Sequence, residues 1–169
     1  MSRRMVAFLA ATTAVGIAAP VAVSSASAAT SHPRDSGGVV ARQVPSPQQI
    51  RSLFDGWNRA LATRDPQRVA DRYASDAVLL PTVSNQVRAD RAAIVDYFSH
   101  FLLNSPQAVI VESHVNVLDA TTAVDSGIYR FTLNGPEGRR IVDARYTYVY
   151  ELRHGRWLIV VHHSSAMPE

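Results

Sequence analysis

Residues 145–168 read RYTYVYELRHGRWLIVVHHSSAMP, and this stretch decides the fold. It predicts two β-strands joined at His154-Gly155, because aromatic and β-branched residues fill both arms and glycine supplies the turn. Side chains alternate between the two faces of a strand. Tyr146, Tyr148 and Tyr150 are therefore expected on one face, with Arg145, Thr147 and Val149 opposite. On the second arm Leu158, Val160, His162 and Ser164 would share a face, and Trp157, Ile159, Val161 and His163 the other. Only one of the two adjacent histidines can enter a given pocket.

Working outward, the preceding strands follow in sequence. Residues 108–118 and 122–133 read as strands separated by Asp119-Ala120-Thr121, and Asn134-Gly135-Pro136-Glu137-Gly138 turns the chain into the final hairpin. Helices come before them. Ser46-Pro47-Gln48-Gln49 places a hydroxyl at the N-cap, proline at the first helical position and glutamine at the capping-box position. Ile50, Phe54, Trp57 and Leu61 then recur at helical spacing. Asp65-Pro66 opens a second short helix with Val69 and Tyr73 on one side, and residues 77–80 form a brief strand that Pro81 stops. Asp90 caps a third helix whose buried face is Ile94, Tyr97, Phe98, Phe101 and Leu102. Helices first and long sequential strands afterwards predict an α+β domain, with three N-terminal helices packed on a strongly curved antiparallel sheet that encloses a cavity.

The flanks have a different character. Ser2-Arg3-Arg4, an apolar run from Met5 to Val23 and the small-residue site around Ala26–Ala29 predict a signal peptide over 1–29. The expected destination is secreted or extracytoplasmic. Val6 stands where a twin-arginine signal prefers an aromatic, so the Sec and Tat routes both remain open. Residues 30–45, rich in Ser, Gly, Pro and charge, read as a flexible linker, and 46–169 as the domain. Of 17 basic and 14 acidic residues, Arg3 and Arg4 leave with the leader, so the mature balance is +1. No basic stripe of the nucleic-acid kind forms. With no cysteine, an exported domain must rely on core burial or assembly.

The sequence Trp57-Asn58…Leu61, Asp65-Pro66, Tyr73, Asp76–Pro81, Tyr97-Phe98, Thr147, Gly155-Arg156-Trp157 and His162-His163-Ser164-Ser165…Pro168 resembles the nuclear transport factor 2-like superfamily. Within it, the chain is most similar to the association (hub) domain of calcium/calmodulin-dependent kinase II and to SgcJ/EcaC-type bacterial relatives. The likeness covers residues 49–168. It implies a cone-shaped fold, a deep pocket for a small organic ligand, and a homodimer or higher homo-oligomer built through the outer sheet face. The hub pocket is lined by several arginines. Arg130 falls at one such position, whereas Tyr148 and Ser164 stand at others. The signatures of a kinase domain are absent.

The candidate ligand-binding residues are Tyr97, Arg130, Tyr146, Tyr148, His162 and Ser164. Arg130 reads in two ways: an inward anchor for an anion or carbonyl, or an edge residue paired with Asp143 or Glu151. His162 is the best catalytic candidate, since a pocket histidine can move a proton near neutral pH. His163, on the opposite face, is expected at an interface or rim. The tyrosine row, with Tyr97 and Trp57, reads either as a π-rich pocket wall or as core. No metal is expected, because the histidines and carboxylates share no ligand spacing, and no dinucleotide fingerprint marks a cofactor. Two functional readings follow. One is a secreted, oligomerising pocket domain that binds without chemistry. The other is an enzyme of the SnoaL, ketosteroid-isomerase or SgcJ/EcaC kind acting on a polyketide- or steroid-like molecule.

Overall fold

The computed structural model describes residues 43–82, 84–136 and 138–168, all within the compact unit that spans 40–169. The predicted leader and most of the linker lie outside the described residues. The helices are α1 (Pro47–Arg51), α2 (Leu53–Ala62), α3 (Pro66–Ala70) and α4 (Arg91–Phe101), with a 3₁₀ turn at Leu102–Asn104. The strands are β1 (Tyr73–Leu80), β2 (Gln107–Val117), β3 (Thr122–Gly135), β4 (Gly138–Arg153) and β5 (Arg156–Ala166).

Helices α1, α3 and α4 begin where the first turn finds side-chain acceptors. Ser46 Oγ accepts from Gln49 N at 3.2 Å while the Gln49 side chain accepts from Ser46 N at 2.7 Å, closing the capping box. Asp65 accepts from Gln67 N and Asp90 from Ala93 N, at 2.9 and 2.8 Å. Two boundaries differ from expectation. The first helix breaks at Ser52, so Ile50 and the Phe54–Leu61 stripe lie on separate helices. Helix α3 ends at Ala70, and Tyr73 opens β1.

The five strands form one sheet in the order β1-β5-β4-β3-β2. The fold class is α+β, as expected. The sheet is mixed, where an antiparallel one was expected: β1 runs parallel to β5, and α4 carries the chain from the β1 edge to β2 at the opposite edge. The helices pack on the inner face. Trp57 of α2 makes ring contacts with Phe98 of α4, Phe131 of β3, Tyr148 of β4 and His162 of β5. Asn58, the next residue, clamps α2 to β2: its amide donates to Ala108 O at 2.8 Å and its carbonyl accepts from Ala108 N at 3.0 Å.

Two bulges interrupt the antiparallel ladders, besides a register shift between Tyr73 and Val78 in the parallel β1–β5 pair. Val160 is unopposed, since Val149 pairs with Val161 and Tyr150 with Ile159. The extra residue reverses the parity expected for the start of β5. Ile159 is buried beside Tyr150, and Trp157 pairs with Leu152 and packs against the core rather than standing on the outer face. Beyond the bulge, His162 and Ser164 keep the inward face assigned to them, opposite Tyr148 and Tyr146.

Val111 is the second unopposed residue, between the pairs Ile110–Tyr129 and Glu112–Ile128. Gly127 sits against this bulge. A Cβ on it would lie 2.0 Å from the Glu112 carbonyl oxygen, a clash that backbone cannot relieve cheaply. Gly127→Ala is therefore expected to destabilise the fold by roughly 2 kcal/mol or more. Gly155→Ala, with open space around it but a φ of +77°, should cost only about 1 kcal/mol. Urea unfolding of both variants measures the difference; an unaffected Gly127 variant would mean that the bulge relaxes freely.

Candidate functional site

A cavity of about 100 Å³ opens between the inner face and α4. Its walls are aromatic: Trp57, Tyr97, Phe98, Phe101 and Phe131. Tyr97 and Phe101 stack with centroids 5.6 Å apart, and Phe101 meets Phe131 edge-on at 5.7 Å. Its polar end is formed by Thr82, Tyr129, His162 and Ser164.

These polar groups are joined in a chain whose direction is set where Tyr129 donates to Ser164 Oγ at 2.5 Å. That bond uses the one hydrogen of the Tyr129 hydroxyl, so the 3.4 Å contact between Tyr129 Oη and His162 Nε2 requires the proton on Nε2. A neutral imidazole protonated at Nε2 accepts at Nδ1, here from Tyr73 Oη at 2.8 Å. Tyr73 Oη also accepts from the Trp57 indole N–H at 3.0 Å. Ser164 and Thr82 are joined hydroxyl to hydroxyl at the cavity wall.

Of the six sequence-based candidates, Tyr97, His162 and Ser164 line the cavity. Tyr148 and Tyr146 stand behind it. The His162 ring covers Tyr148 at a centroid distance of 4.2 Å, and Tyr146 lies against Tyr129 at 5.0 Å. Arg130 is a correction. It is exposed on the outer face and forms a two-pronged ion pair with Asp143, 2.7 and 2.8 Å, so it does not reach the cavity. This is the edge-pair alternative for that residue. The pair holds the Asp143 carboxyl below its usual range, chiefly through the hydrogen bond from Arg130.

Tyr129 is the inward residue of this part of β3, with Phe131 and Leu133 on the same face. Strict alternation along β3 identifies it; the family position of Arg130 pointed to its neighbour instead. Thr82, in the loop after Pro81, carries no sequence signal. Asp125 is a further omission. It is fully buried on the inner face, where Ser113 Oγ and Tyr146 Oη donate to Oδ1 at 2.7 and 3.1 Å. Burial raises its pKa, against the lowering effect of those hydrogen bonds. It does not line the cavity.

Curved sheet, helical lid and inward pocket together define a nuclear transport factor 2-like domain. Residues 46–168 match the family described as calcium/calmodulin dependent protein kinase II association domain, and the chain belongs to that family. A solved structure from Xanthomonas campestris assigned to the same association domain shares 55% identity, over 74% of this chain and 90% of that one, with a TM-score of 0.73. Two more distant structures share the fold. One, from Novosphingobium aromaticivorans and assigned as an aromatic ring hydroxylase, has 21% identity and a TM-score of 0.65, over 75% of this chain and 94% of that one. The other, from Streptomyces avermitilis and assigned as a nuclear transport factor 2-like dehydratase, has 15% identity and a TM-score of 0.64, over 72% and 97%. No curated protein matches the chain.

The electrostatics of His162 follow from its position. Burial, and secondarily the charge of His163, push its pKa down to about 3. In the unfolded chain a histidine titrates near ~6.5. The folded state therefore favours the neutral ring, and this contribution to stability is complete above pH ~6.5 and is lost as pH falls towards about 3. Wild-type stability should decline more steeply between those limits than that of His162→Asn, whose amide can accept and donate but does not titrate. Denaturant midpoints across that range measure this; parallel profiles would rule it out.

Proposed function

We propose that this protein is an exported, oligomerising pocket domain that holds a small organic ligand without transforming it. The observation that carries the reading is the commitment of His162. Nδ1 accepts from Tyr73, and Nε2 carries a proton directed at Tyr129, so neither nitrogen faces the cavity as a free base. A general base must lie within hydrogen-bond reach of the substrate proton. Among the described residues, the cavity lining contains no carboxylate to take that role. An aromatic enclosure with a few convergent polar groups suits retention of a ligand.

Assembly is supported by the family and by the outer sheet face. Val109 and Ile141, which are 60% and 61% exposed, stand there, and Leu80 pairs beside His163 on the same face. Thr147, Val149 and Val161 continue that surface. A homodimer or larger ring burying this face would remove exposed apolar area from water. Two structures that share the fold carry assignments as hydroxylase and dehydratase; the committed histidine favours binding over proton transfer for this chain.

One measurement addresses all three parts. Native mass spectrometry on protein recovered from the culture medium should give a subunit lacking residues 1–28 or 1–29. It should also give a multiple of that subunit mass and a small-molecule adduct lost on denaturation. A monomer that retains the leader and carries no adduct in the native spectrum would overturn the reading.

A further inference from the structure

The polar chain contains six hydrogens that can be donated, one each on Trp57, Tyr73, His162, Tyr129, Ser164 and Thr82, and five hydrogen bonds connect these groups. Because Tyr129 donates to Ser164, each group passes its hydrogen towards the cavity. One hydrogen remains at the far end, on Thr82 or Ser164, and both residues line the cavity. Among the described residues, this chain therefore offers a single hydrogen bond to whatever occupies the polar end of the space.

The geometry points to a compact, uncharged ligand that accepts this hydrogen bond through a carbonyl oxygen: a ketone, lactone or ester on a body of about one ring. The inference rests on the pocket reading above and specifies its ligand. Size follows from the cavity, about 100 Å³, against roughly 150 Å³ for an apolar cavity that takes up benzene. Neutrality follows from the supply of partners. One donor satisfies a carbonyl oxygen but leaves most acceptor sites of a carboxylate unmet, which makes burial of that charge unfavourable. An ammonium group would find no lining carboxylate among the described residues.

Arg140 lines the same cavity but lies six residues along β4 from Tyr146, the partner of Ser164 in register. Arg140 is exposed, so a carboxylate placed beside it would gain little in water and would leave the hydroxyl end without an acceptor. Tyr97 contributes its ring, and its hydroxyl is near enough to Arg88 for that charge to affect its pKa.

Cyclohexanone, cyclohexanecarboxylate and cyclohexylamine provide a matched set, titrated against the full mature protein by calorimetry at neutral pH. Cyclohexanone should bind at least about tenfold more tightly than either ion. Its C=O stretch in the complex should lie below the value in hydrocarbon solvent. Thr82→Val should retain both results, since removing the terminal hydroxyl also removes one bond and transfers the spare hydrogen to Ser164. Tighter binding of the carboxylate, or a stretch at the hydrocarbon value, would overturn this inference and leave the pocket reading intact. Binding of none of the three would overturn both.

Discussion

The indole N–H of Trp57 imposes the constraint on which the inner face depends. Trp57 is buried among aromatic rings, and a buried N–H without an acceptor is costly, roughly 1–3 kcal/mol. Tyr73 supplies the acceptor and has its own hydrogen left for His162 Nδ1. The tautomer of His162 and the spare hydrogen at Ser164 or Thr82 follow from the other end of the same chain, where Tyr129 donates to Ser164. The same helix sets the depth of the lid. Trp57 points into the sheet while Asn58 grips the Ala108 backbone on the edge strand, so two adjacent residues fix how α2 lies.

Burial of this network has a chemical consequence. The apolar enclosure that strengthens its hydrogen bonds also penalises any charge formed within it. His162 is kept neutral, and proton exchange with an occupant would require breaking bonds that maintain the core. Asp125 illustrates the alternative placement of a titratable group. It lies on the same face, yet its Oδ1 is held by Ser113 and Tyr146 away from the cavity. The domain thus contains both ingredients of acid–base chemistry and keeps each engaged elsewhere.

Much of this was legible in the sequence, and the exceptions have physical causes. Capping residues at Ser46, Asp65 and Asp90 act over three or four residues, so local pattern suffices to find them. The inward face of Tyr146, Tyr148 and Tyr150 follows from simple alternation within β4. Alternation fails where a ladder gains a residue. The bulge at Val160 depends on how β4 and β5 pair, so the face of Trp157 could not be read from β5 alone. Arg130 fails for another reason: family position favoured an inward charge, whereas the sequence Tyr129-Arg130-Phe131 already gives the inward places to the aromatic neighbours. Thr82 belongs to a loop, where no periodicity orients a side chain.

The bulges that confuse the reading also help make room for the cavity. A regular ladder of long strands twists smoothly, and its inner side chains would pack directly against the helices. An extra residue bends the strand locally. Val111 on β2 and Val160 on β5 provide such bends on strands at either side of the β3–β4 pair. Gly127 admits the first bend, because no side chain could stand where the Glu112 carbonyl approaches. The aromatic side chains of β3 and α4 then meet across a hollow rather than closing it. On the outer face of the same strands, Arg130 and Asp143 pair while partly exposed. Strand register therefore divides β3 between two tasks, with Tyr129 serving the pocket and Arg130 the surface.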